Sequence, residues 1–227
     1  MNMLTIKDNL SKINEEIRKT AIASNRDPKN IMLIGVSKKK DVNTIQKGID
    51  AGLTHLGENY IQEAIQKIKI IGKEHACWHF IGHLQSNKAK LAVQYFDYIH
   101  TIDRFKLALE IDKQAKINNK IQKILVQVNI GKEESKSGVD IEDTIELAKR
   151  INSLNNVSLK GLMCMPPFSL DPEHSRSYFK FLFELKKSIN NIKTNHLSMG
   201  MSHDFKVAIE EQATMIRIGT SIFGRRN

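Results

Sequence analysis

Cysteine is scarce in this sequence: Cys77 and Cys164 are the only two in 227 residues. Their spacing matches no redox or zinc pattern, so neither a disulfide framework nor a metal site is expected. Proline is scarce as well, with four residues, and no Pro- or Gly-rich tract marks a linker, so 1–227 reads as one domain. No run of eighteen apolar residues occurs, which excludes a membrane-spanning helix. The opening MNMLTIKDNLSKINEEI carries charge throughout and lacks an apolar core before a cleavage site, so no signal peptide is read and a cytoplasmic location is expected. Acidic residues are outnumbered, 25 Asp and Glu against 35 Lys and Arg, for a formal net charge of +10. Those bases are spread among acids along the whole chain, and aromatics make up only 6 %, so no nucleic-acid surface is marked. A small anionic ligand is equally well served.

What the chain does have is alternation. IMLIGVSKKK at 31–40 is a mostly branched apolar run that ends in Lys38, the pattern of a strand buried on both faces. An amphipathic helix over 3–24 precedes it, with Leu4, Ile6, Leu10, Ile13 and Ile17 at helical spacing. Further strands are predicted at 53–57, 78–82, 98–102, 124–130, 159–163, 196–199 and 214–218, with helical segments between them. Asn43 with Gln46, Asn59 with Gln62, and Asp103 are read as helix caps. About eight strand-helix units predict a closed (β/α)8 barrel with an extra N-terminal helix; an open doubly wound sheet is the alternative, because periodicity does not reveal closure.

In such a barrel the strand C-termini share one rim. Lys38 lies there after strand one, and partial desolvation disfavours its ammonium form, as a Schiff-base lysine requires. Ser198 to Ser202 (SMGMS) and Arg217 to Ser221 (RIGTS) follow strands seven and eight, the customary phosphate position of this fold, where glycines admit close approach and hydroxyls donate. Arg217 shares a strand face with Gly219 and points inward, needing an acceptor; a salt bridge to Glu58 is the structural alternative. A nucleophilic lysine opposite a phosphate cradle describes a pocket for a phosphorylated aldehyde such as pyridoxal 5′-phosphate (PLP).

VSK at 36–38, GENYIQE at 57–63, WHFIGHLQSNK at 78–88, the NI and SKSG segments within 129–138, SMGMSHD at 198–204 and RIGTSIFG at 217–224 resemble, in order and over nearly the whole chain, the pyridoxal phosphate homeostasis protein family. The resemblance implies the barrel of alanine racemase without that enzyme's second β domain. It implies Lys38 as the Schiff-base lysine, Ser202, Gly219 and Thr220 around the phosphate, Arg217 near the pyridine nitrogen, and Asn59 and Met199 close to the cofactor. Two departures bear on loop shape: Lys40-Asp41 stands where the family often has proline, and His83 where many members have proline or a small residue.

The function so implied is vitamin B6 homeostasis: a monomeric carrier and regulator of PLP that supplies PLP-dependent apoenzymes, with at most weak side activity and no catalytic residues of its own. An arginine at the pyridine nitrogen weakens the ring as an electron sink, which argues the same way. The competing reading is a minimal PLP-dependent racemase or lyase using Lys38 with His83, His100 or Tyr60 as a second base. Lys136 is a rival aldehyde site, flanked by acids in a polar loop. Met163, Met165, Met199 and Met201 are read as packing around a ring rather than as metal ligands.

Overall fold

The chain is described by a computed structural model covering residues 5–133, 137–189 and 192–224. It opens with helix α1, Ile6–Ala23, started by a reciprocal capping box in which Thr5 Oγ1 accepts from the Asp8 amide while the Asp8 carboxylate accepts from the Thr5 amide. Leu10, Ile13, Ile17 and Ala21 form its buried stripe, packed toward the C-terminal helices. Each fully buried aliphatic side chain of such a stripe contributes about 1.5–3 kcal/mol.

The strands are β1 Met32–Val36, β2 His55–Glu58, β3 Cys77–Phe80, β4 Tyr98–Ile102, β5 Gln122–Val128, β6 Val157–Cys164, β7 His196–Met201 and β8 Met215–Ile218. All pair in parallel with their sequence neighbours, and β1 pairs with β8 through Met32↔Met215 to Gly35↔Ile218, closing the barrel. Closure decides between the two architectures left open by periodicity: this is the (β/α)8 barrel, with α1 as the extra helix. Helices α2 Val42–Asp50, α3 Ile61–Ile71, α4 Ala89–Tyr95, α5 Phe105–Ile117, α6 Thr144–Asn152, α7 Arg176–Ser188 and α8 Phe205–Glu210 connect the strands, and the one-turn α9, Thr220–Phe223, follows β8. Among the described residues no helix is long and apolar enough to cross a membrane.

Side-chain alternation splits the core into two layers. Leu56, Trp78, Phe80, Ile99 and Ile124 face the helices, whereas Ile34, Tyr98, Leu125, Met163 and Met215 fill the barrel. One of the three expected caps falls to another residue, and the other two helix starts have no side-chain cap. Helix α2 is capped by Asp41, whose carboxylate accepts from the Thr44 amide, not by Asn43. Helix α3 starts after Tyr60 with no side-chain cap, and Asp103 pairs with the Arg104 guanidinium instead of capping α5. A short polar residue near a helix start is ambiguous by one or two positions, and here Asn59 lies one residue before the first of α3's flanking positions while Asp103 pairs with Arg104.

Candidate functional site

Strand β1 places Met32 and Ile34 inside the barrel, so Val36 and then Lys38 continue on the inward side. Ser37 between them faces out and is buried, its hydroxyl donating to Glu58 Oε1 at 2.6 Å. Lys67 of α3 donates to the same carboxylate oxygen at 2.8 Å and to the Ser37 carbonyl at 2.8 Å. It also reaches Glu63, which accepts from the Lys39 amide. Lys39 itself holds φ 60°, a left-handed turn. The half-buried Lys38 therefore sits on a turn fixed from behind by a buried ion pair. Burial raises the Glu58 carboxyl, and the Lys67 ammonium opposes that rise.

The alternative Arg217–Glu58 pair does not form, because Glu58 points toward α3 and Arg217 into the barrel. Arg217 is 3 % exposed and donates from Nη1 to Ser198 Oγ at 2.7 Å and from Nη2 to the Cys164 carbonyl at 3.0 Å. Both acceptors are neutral, and burial lowers the guanidinium's pKa. Above it lies a cavity of about 260 Å³ lined by Lys38, Asn59, Ser202, Arg217, Gly219 and Thr220 together with His203, Val36 and apolar side chains. Six of the seven residues expected to meet one ligand are thus brought together from the ends of β1, β2, β7 and β8.

Local backbone rules explain the convergence. A Cβ at Gly82 would lie 2.1 Å from the Asn59 carbonyl oxygen, so only glycine lets the β2 and β3 loops touch. Asn59 Oδ1, freed from capping, is buried with no hydrogen-bond partner. Gly200 holds φ 89°, turning β7 into a loop that Asp204 closes by accepting from the Met201 amide at 2.7 Å and from Ser175 Oγ at 3.0 Å. Thr220 Oγ1 then lies 3.3 Å from Ser202 Oγ, uniting the loops after β7 and β8. Gly219 passes β1 so closely that an added Cβ would meet the Val36 carbonyl oxygen at 3.3 Å.

Met199 is the exception. Ser198 points inward to Arg217, so its neighbour faces the helices, where Met199 is fully buried in the outer core layer away from the cavity lining. Its side chain packs in the outer layer and does not line the cavity. Lys136 lies outside the described residues. Of the alternative second bases, Tyr60 is half exposed and lines neither rim cavity, and His100 is buried below Arg217 rather than at the rim. His83 lines an adjoining cavity of about 390 Å³, where its Nδ1 lies 3.0 Å from Ser137 Oγ. Phe168, 80 % exposed, borders both cavities.

Beneath the cavity runs a column that no motif announced. His100 Nδ1 lies 2.9 Å from Ser198 Oγ, His79 Nδ1 lies 2.9 Å from His100 Nε2, and His55 Nδ1 lies 3.0 Å from His79 Nε2. Burial holds His79 and His100 far below the ordinary imidazole pKa, and lowers His55 less. Beside its lower end is Cys77, whose thiol burial pushes up to about 12. A cysteine and two histidines thus meet here, although their spacing in sequence matches no metal pattern. The available signal was inward parity, since Cys77 and His79 are two apart on β3 and His55 begins β2.

Comparison with known proteins gives a consistent set. The family model described as "Alanine racemase, N-terminal domain" matches residues 8–227. A "Pyridoxal phosphate homeostasis protein" of Aquifex aeolicus is 43% identical over 222 residues, 96% of this chain and 97% of that one. One of the same name from Haemophilus influenzae is 40% identical over 230 residues, 99% and 97% of the two chains. The solved structure of PipY from Synechococcus elongatus with PLP bound has a TM-score of 0.79 and 34% identity, covering 92% of this chain and 100% of that chain.

Proposed function

Because the chain belongs to the pyridoxal phosphate homeostasis protein family, with a barrel of the alanine racemase N-terminal domain type, we propose that it binds PLP covalently on Lys38 and holds the cofactor for transfer rather than for turnover. The observation that carries this reading is the meeting of Lys38, Asn59, Ser202, Arg217, Gly219 and Thr220 on one cavity.

The donor set suits such a group. Arg217 is a buried cation with two neutral acceptors, and an acceptor atom of an anionic ligand completes its surroundings. Asn59 Oδ1 is a buried acceptor in want of a donor. When bound, PLP supplies an aldehyde for an amine and an electron-accepting ring. Lys38 supplies the amine, while the hydroxyls of Ser202 and Thr220 and the tight Gly219 turn take the phosphate. Arg217 donates to the ring nitrogen without giving up its proton, since a guanidinium is never deprotonated in proteins. That leaves the ring a poor electron sink, which favours storage over racemisation.

PLP-dependent apoenzymes are the partners such a holder supplies. The closed barrel offers no unpaired strand edge, in keeping with a monomer. The test is the visible spectrum with PLP, then borohydride reduction and peptide mapping. Label on Lys38, absent from Lys38→Ala, is the expected result; label scattered over surface lysines refutes the site. Saturable turnover of one amino acid would refute the carrier role and restore the enzyme reading.

A further inference from the structure

At the opposite end of the barrel from the proposed PLP cavity, we infer a binding site for a borderline-soft divalent cation of the zinc class, formed by His55, Cys77 and His79. One ligand atom from each residue lies within 4.8 Å of the others. The arrangement is built by the sheet: His55 and Cys77 are register partners on β2 and β3, and His79 is the next inward residue of β3. Three protein ligands of N, N and S type with one position left over are the donor set of an open zinc site.

Three further features favour a cation here. The first is access. His55 lines a cavity of about 440 Å³ at the N-terminal ends of the strands, shared with Asn30, Met32, His196 and Thr214. The second is outer support. Asp97 accepts from the Trp78 amide of β3 at 2.8 Å and so places a carboxylate beside Cys77, whose negative charge favours a cation there while it opposes ionisation of the thiol on its own. The third is the histidine column itself, which fixes the ligand rings. Opposing them, Lys123 lies close by with its ammonium 4.9 Å from the Tyr98 ring centre, and the new thiolate offsets that charge.

The balance is simple. The cation binds two neutral imidazoles and the sulfur, the S–H bond breaks, and one proton leaves to solvent. The geometry also dictates a tautomer change. Arg217 can only donate to Ser198, so the Ser198 hydroxyl proton goes to His100 Nδ1, its other partner. His100 and His79 then each carry their proton on Nε2, and His79 spends it on His55 Nδ1. A cation taking the lone pairs of His55 Nδ1 and His79 Nε2 moves the His79 proton to Nδ1 and reverses the bonds above it.

Co²⁺ titration of the purified protein, with no PLP added, tests the site independently of the cofactor reading. One Co²⁺ per chain is expected, displaced by Zn²⁺, with a thiolate-to-cobalt charge-transfer band that disappears in Cys77→Ser. His55→Gln should weaken binding at least about tenfold. No band with Co²⁺ in excess, or a band that survives Cys77→Ser, overturns the site. Should either variant misfold, ¹⁵N imidazole spectra of the wild-type protein with Zn²⁺ decide: His79 changing from the Nε2–H to the Nδ1–H tautomer supports the site, and an unchanged His79 refutes it.

Discussion

Replacing Lys67 with methionine isolates the support of the Lys38 turn. Lys67 and Glu58 are 7 % and 0 % exposed at their side chains and 2.8 Å apart. Methionine keeps the stem volume but leaves the Glu58 carboxylate buried with only the Ser37 hydroxyl, and leaves the Ser37 carbonyl without its donor. Removing one partner of a buried pair costs about 3–5 kcal/mol. For a domain of this size that corresponds to a fall in Tm of about 10 °C. The sign of the pH effect is fixed by Glu58. Its folded pKa already lies above the ordinary 4.5 through burial, and loss of Lys67 raises it further. A raised carboxyl contributes its stability below the unfolded pKa and loses it as pH rises through the folded one, so the variant's deficit is largest at pH 7. Thermal unfolding followed by circular dichroism should show a smaller deficit at pH 5 than at pH 7. The double variant Lys67→Met/Glu58→Gln should recover at least half of it. An equal deficit at both pH values with no recovery would refute the buried-pair account.

Other expectations follow from the same geometry. His79 and His100 are held neutral, so the unfolded chain takes up protons below about pH 6.5 that the folded one refuses; stability should be full above that pH and fall by about 1.4 kcal/mol per unit for each histidine below it. Denaturant unfolding at pH 7.5 and 5.5 measures this, and a flat profile contradicts it. Asn59→Ala removes an oxygen with no intramolecular partner, so Tm should move by less than about 2 °C while PLP affinity drops about tenfold by fluorescence titration. A large loss of Tm would show instead that Asn59 is structural. Gly219→Ala brings a methyl group within 3.3 Å of the Val36 carbonyl and should lower PLP affinity with a stability cost of about 1–3 kcal/mol, checked by the same titration beside thermal unfolding.

Sequence patterning carried the fold further than it carried individual contacts. Tyr98–Ile102 was predicted to the residue, and the other strands within two residues at most of their ends, because buried parallel strands write continuous branched runs. Closure could not be read, since it depends on β1 meeting β8. Inward parity put Arg217 and Gly219 on one face of β8, and both line the cavity. It would have excluded Met199 had Ser198 been recognised as the partner of Arg217. The errors at Asn43, Asn59 and Asp103 share one cause: a cap depends on where the helix starts to within one residue, and sequence spacing does not fix that position. The alternative pairing of Arg217 with Glu58 does not occur because β1 separates their strands and the two charges face opposite sides of the sheet. The His55, Cys77 and His79 cluster went unnoticed because its spacing makes sense only once two strands lie in register.

The meeting of β1 and β8 has a consequence for biosynthesis. Lys38 and Arg217 belong to strands whose register partners lie about 180 residues apart in the chain. Contacts of such separation form late, after the loop-closure entropy of everything between them has been overcome. A ribosome delivering this chain therefore releases Lys38 early, on a strand with one neighbour missing, and the cavity comes into being only when the last strand docks. Until then nascent chains carry the lysine without the pocket, and cofactor capture reports that the barrel has closed.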